Sequence, residues 1–224
     1  MVKFLSYHLE TASFIIYCLG FFFYDRKVDS KKQYRVLAGY YLVAAIGMGV
    51  ASRLDFNPPV YNLLYLFTSL GIGYYFYCIL QGARKKIAWL TTSFTASYYL
   101  LSNLVNGFDQ VFDSIGHVIA STGIVLLIFL FLHQLLSNVK EEPISHSFDF
   151  WFSAIQLMYH LGSFAIFLSY NYFSHKFFSD DYDSKEIGRM ATYLWMLHNV
   201  ILFLGALVTS FGIAWIYRRK LPLS

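Results

Sequence analysis

The sequence predicts an all-α membrane protein. It is read as one domain over residues 1–224, a bundle of seven transmembrane helices with the N-terminus outside and the C-terminus cytoplasmic. Three observations predict this. Hydrophobic residues make up 57% of the chain and charged ones only 13%, where a soluble domain carries about a quarter charged. Mean hydropathy is +0.49. The apolar residues gather in seven runs, each near the ~20 residues that cross a ~30 Å hydrocarbon core as a helix.

The runs follow in order. Tyr7–Tyr24 holds Glu10 near its start, and Val36–Leu54 stays uncharged until Arg53. Val60–Gln81 opens behind Pro58 and Pro59, and Ile87–Gly107 follows the triplet Arg84, Lys85, Lys86. Phe112–Leu136 begins with Asp113 and His117 at a spacing of one helical turn, and Phe148–Tyr172 carries a polar stripe at helical spacing. Met190–Tyr217 has no charge between Arg189 and Arg218 and is closed by Arg218, Arg219 and Lys220. The four prolines all lie outside these runs, so straight helices are expected. The short alternating segments of a spanning β-barrel are absent. No cleavable signal is expected, because the basic region before the first run is only Lys3 and no small-residue cleavage site follows.

Orientation follows from lysine and arginine in the short loops. One side holds Arg26, Lys27, Lys31, Lys32, Arg35, Arg84, Lys85, Lys86, Lys140, Arg218, Arg219 and Lys220. The other holds Lys3, Arg53, Lys176, Lys185 and Arg189. Twelve against five puts the first side in the cytoplasm. The formal charge of +4 follows from these loops and requires no nucleic acid. Cys18 and Cys78 both fall within apolar runs, which predicts buried thiols rather than a disulfide framework. Aromatic residues are 21% of the chain, and those near the run ends suit interfacial belts.

Polar residues inside spans are expected to face the bundle interior and to mark function. Glu10, Asn62, Asn103, His117, His160, His198 and Asn199 are the candidate ligand-binding residues. In the topology above they lie in the outer half or near the middle, which predicts a polar cavity opening outwards. His198 lies on a small, polar face with Gly205, Thr209 and Gly212, opposite Leu197, Phe211 and Trp215. Another helix is expected to meet that face, with His160 or Asn171 as its partner.

Several classes are disfavoured. Every lysine is in a loop or terminus, so none is placed for a retinal Schiff base. No arginine ladder runs through a span, as a voltage sensor requires. Small sugar transporters of the SWEET kind carry prolines within their spans, and this chain does not. Alkaline ceramidases pair histidines in the last helix, where this chain has His198 alone. The zinc-protease, serine-hydrolase and P-loop motifs are missing.

The leading functional expectation is a non-enzymatic receptor, sensor or accessory module. It needs no cofactor, sits as a multi-pass protein in the plasma membrane (the inner membrane of a Gram-negative cell) and passes its signal to a partner through the basic loops. A membrane-embedded metalloenzyme of the lipid hydrolase type is the alternative. There His117, His160 and His198 would ligate zinc, with Asp113 or Glu10 as base or fourth ligand; a haem variant would use His160 and His198 as axial ligands. A small-solute transporter with the same cavity is the third reading.

Overall fold

The computed structural model describes residues 2–27, 29, 31–53, 58–106, 113–137, 144–177 and 184–220. Among them there are seven α-helices, one 3-10 turn and no strand. The helices are α1 Val2–Lys27, α2 Lys32–Ala51, α3 Pro58–Ile79, α4 Ala83–Asn106, α5 Ser114–Ser137, α6 Phe148–Phe177 and α7 Ser184–Lys220, and the 3-10 turn Ile144–His146 leads into α6. Each apolar run of the sequence becomes one helix. Most helices outrun their apolar stretch at one or both ends, because helix formation does not stop where hydrophobicity does.

Local chemistry sets several boundaries. Pro58 and Pro59 occupy the first turn of α3, where a missing N–H costs nothing. The turn into α4 passes through Gly82 at φ 59°, a left-handed conformation suited to glycine. Asp113 caps α5: its Oδ1 accepts the Gly116 N–H at 2.8 Å, satisfying one of the orphan donors of the first turn. At the α3 end, the Gln134 side chain from α5 accepts the Gln81 N–H at 2.8 Å and donates to the Ile79 carbonyl at 3.1 Å.

Each helix packs against its neighbours in sequence, and α7 closes the ring against α1. The α3 helix also packs on α5, and its tyrosines reach further. Tyr75 meets Phe152 of α6, and Tyr61 meets Trp195 of α7. One bundle end carries the Lys31–Arg35 and Arg84–Lys86 clusters and is called the basic end here. Its interior is aromatic. Phe21 stands edge-on to Phe148 and Phe152 with ring centroids at 5.5 and 5.1 Å. Asp149, in the first turn of α6, accepts Tyr34 of α2 at 3.0 Å and Tyr75 of α3 at 2.5 Å, tying three helices together.

The outside of the bundle is apolar and much of its inside is polar. Leu19, Ile46, Phe67, Phe94, Leu104, Phe129, Leu168 and Phe211 are exposed, while Glu10, Ser13, Asn62, Asn103, Gln156 and Thr209 are buried. A surface helix of a soluble protein has the opposite arrangement. Among the described residues, four segments are long and apolar enough to cross a membrane: Lys32–Ala51, Ser114–Ser137, Phe148–Ser169 and Arg189–Arg218.

Candidate functional site

His198 is fully buried at the centre of a hydroxyl cluster. Its Nε2 lies 3.2 Å from the Tyr65 hydroxyl on α3 and 3.2 Å from the Tyr159 hydroxyl on α6. Its Nδ1 lies 3.1 Å from Ser163 Oγ, also on α6. The expected helix contact is therefore made, but through Tyr159 and Ser163. His160 turns instead to α5, where its Nδ1 is 3.3 Å from Ser121 Oγ. The side chain of Asn171 lies outside the described residues. Gly205 explains the close approach of α7, since a Cβ there would come within 2.9 Å of both Ile155 Cγ2 and the Tyr17 hydroxyl. On the other face of α7, Leu197, Phe211 and Trp215 are exposed.

Tyr65 joins this cluster to two further groups. Its ring lies against His117 with centroids at 3.3 Å. His117 Nδ1 is 2.8 Å from the Tyr99 hydroxyl and 2.7 Å from the Asp113 carbonyl. Tyr65 and Tyr159 also line a cavity of about 20 Å³ with Glu10, Tyr40, Tyr41, Tyr61, Thr68 and Gln156. That volume suits one or two waters at ~10–15 Å³ each. The Tyr61 hydroxyl donates to Glu10 Oε2 at 3.1 Å, the Tyr40 and Thr68 hydroxyls lie 2.6 Å apart, and Gln156 Nε2 donates to the Tyr41 hydroxyl at 3.5 Å. Phe14, Leu64, Ile72 and Leu202 complete the lining, so Glu10 lies at one wall of a small mixed chamber whose other wall, Tyr65 and Tyr159, bonds His198.

Not every candidate enters this arrangement. Asn62 Oδ1 accepts the Asp113 N–H at 3.3 Å and so anchors the start of α5 on α3. Asn103 Nδ2 donates to the Tyr99 carbonyl one turn back on its own helix. Asn199 is fully buried beside His198. Asp113 serves α5 as its cap. Among the described residues, no three His, Cys, Asp or Glu side chains gather in a group able to hold a metal ion. The three interior imidazoles turn to hydroxyls on different neighbours.

No family model, curated protein or solved structure matches this chain.

The tyrosines are what the sequence reading missed. Tyr17 and Tyr99 stand on polar faces that helical spacing turns inward, but Tyr34, Tyr41, Tyr61, Tyr65, Tyr75 and Tyr159 are not among the expected interior residues, and all are buried. The physical reason is that each ring fills core volume while its hydroxyl can meet an imidazole, carboxylate or amide inside. A signal was present in α3: Tyr61, Tyr65, Thr68, Ile72 and Tyr75 recur at one-turn spacing on a single face.

Proposed function

We propose that this chain is a seven-span protein of the plasma membrane, N-terminus outside, that acts as a receptor, sensor or accessory module for a small polar ligand. The observation that carries the reading is the shared wall. Tyr65 and Tyr159 face the Glu10 chamber and also bond His198. A ligand that engages Glu10 and displaces these hydroxyls must repack α3, α6 and α7 together. The chamber is far below the ~300–1,000 Å³ of a usual ligand pocket, so binding requires the bundle ends beside Glu10 to part. Ligand occupancy then selects one of two bundle states, which is what a sensor needs.

The inside-out residue pattern supports seven spans, including helices less apolar on average. In α1, Leu19 and Phe22 are exposed while Glu10 and Ser13 are buried; in α4, Phe94 and Leu101 are exposed while Thr95 and Asn103 are buried. Hydroxyl partners at both nitrogens of His198 favour binding over zinc ligation. Unbroken helices favour it over transport.

Two experiments test this. In a variant lacking Cys18 and Cys78, a single cysteine at Lys31 should resist an impermeant maleimide in intact cells and react after lysis; labelling from outside would overturn the topology. Thermal-shift screening of small amines, acids and sugars on protein in nanodiscs should yield a ligand whose stabilisation, about 2.7 kcal/mol at a hundred times its Kd, is lost in Glu10→Gln. Stoichiometric zinc binding abolished by His198→Ala, or ligand uptake into liposomes, would replace the receptor reading.

A further inference from the structure

A basic groove lies on the outer surface of α3 and α4 at the basic end. It has a volume of about 580 Å³ and is lined by Tyr77, Gly82, Lys85, Lys86, Trp89 and Leu90. Arg84, Lys85 and Lys86 all fall in the first turn of α4, which contains no acidic residue. Arg84 reaches His133 Nδ1 at 3.0 Å, and the Lys85 ammonium sits 4.4 Å from the Tyr77 ring centroid. The two ion pairs among the described residues, Lys31–Asp29 and Arg35–Asp25, lie elsewhere. No described carboxylate balances the triplet, and the positive end of the α4 dipole adds to its field.

The rest of the groove is apolar and continues down the helix. Trp89 is 59% exposed, Leu90 58% and Phe94 65%, and Leu101 and Leu104 extend the same exposed apolar surface. A cationic rim above an apolar floor matches one amphipathic shape: an anionic headgroup with an acyl chain attached. A free phosphate would leave the floor bare. An acidic peptide would have to lie along a surface that the membrane reading places against lipid tails.

We propose that this groove docks an anionic phospholipid from the leaflet at the basic end. Lys85 and Lys86 contact the headgroup phosphate, Trp89 sits at the level of the ester linkages, and an acyl chain runs along Leu90 and Phe94. Basic sites between membrane helices on the cytoplasmic side suit such headgroups, and tryptophan favours that depth. The proposal rests on the membrane reading but not on the Glu10 chamber.

The test is lipid retention by purified protein in nanodiscs of mixed phosphatidylglycerol and phosphatidylcholine, read by native mass spectrometry. The wild type should retain phosphatidylglycerol preferentially. Each lysine should contribute about five-fold, so Lys85→Gln with Lys86→Gln should lower the preference roughly twenty-five-fold. Lys27 is at the same bundle end but outside the groove lining, so Lys27→Gln should leave the preference within about two-fold, against about five-fold for a lysine in the groove. Full preference in the double variant, an equal loss in Lys27→Gln, or displacement of the lipid by millimolar inorganic phosphate would each overturn the proposal. A wild-type chain that inserts without preference overturns it alone; a chain that does not enter bilayers overturns the membrane reading with it.

Discussion

Replacing His198 with alanine removes an imidazole that three hydroxyls share. Contacts to Tyr65, Tyr159 and Ser163 at 3.1–3.2 Å are lost together. Side-chain hydrogen bonds between membrane helices average ~0.6 kcal/mol, so the three come to about 2 kcal/mol. His198 is fully buried, so a void of the order of 50 Å³ would add about 1 kcal/mol at ~24 cal/mol per Å³. The expected loss is therefore about 3 kcal/mol in reversible unfolding in detergent, with insertion and expression retained and ligand response abolished. Tyr65→Phe and Tyr159→Phe refine the test. Both hydroxyls address the same nitrogen, so either can hold it alone. Each single variant should lose less than ~0.6 kcal/mol. The double variant should lose more than the sum, because Nε2 is left buried without a partner at ~1–3 kcal/mol. A His198→Ala variant within ~0.5 kcal/mol of wild type, or strictly additive tyrosine variants, would refute the shared-nitrogen geometry. An unchanged ligand response would remove His198 from the site.

The other predictions concern what holds the site in place. Asp149→Asn exchanges two bonds to a carboxylate for neutral ones at Tyr34 and Tyr75, and should destabilise by about 2 kcal/mol, read in the same unfolding assay. Gln134→Leu frees the Gln81 N–H and the Ile79 carbonyl, at about 1–2 kcal/mol, with faster amide exchange at Gln81 as its local signature. Gly73→Ala places a Cβ onto Thr92 Oγ1 and Cγ2, forcing α3 from α4 at about 1–3 kcal/mol. Thr92→Ala should restore part of that loss, since it removes Oγ1 and Cγ2 but keeps a Cβ 2.9 Å from the added one.

All seven helices were legible because an apolar run of about twenty residues between charged loops has one economical structure. Their ends were less so. The sixth run was read to Tyr172 and the helix continues to Phe177; the seventh was read from Met190 and the helix begins at Ser184. Helix ends beyond the apolar stretch are set by capping and packing, to which hydropathy is blind. Asp113 illustrates this. In the sequence it stands one turn before His117 and suggests a catalytic or ligating pair, whereas in the fold that spacing comes from an N-cap whose carbonyl also meets the imidazole.

The candidate site was half legible, and the division follows side-chain chemistry. Glu10, His160 and His198 stand out because each is costly to bury unpaired, and all three are buried. Their partners did not stand out, because tyrosine counts as apolar in a hydropathy reading and as interfacial in a belt reading. Only the fold shows that Tyr65 serves three groups at once: the chamber wall, the His198 nitrogen and the His117 ring. This bears on how the bundle can move. Hydroxyl-to-imidazole bonds are individually modest, and hydroxyls rotate to new partners at little cost. The basic end is fastened differently, by edge-on rings and by the Asp149 carboxylate across three helices. Under the proposed reading, a ligand at Glu10 would meet the part of the core held by hydroxyl bonds, with the Asp149 end as the fixed point. The coupling such a sensor requires is the ~1–3 kcal/mol typical of allosteric proteins, which is comparable to the whole His198 cluster, so those few bonds are the ones a ligand would have to displace.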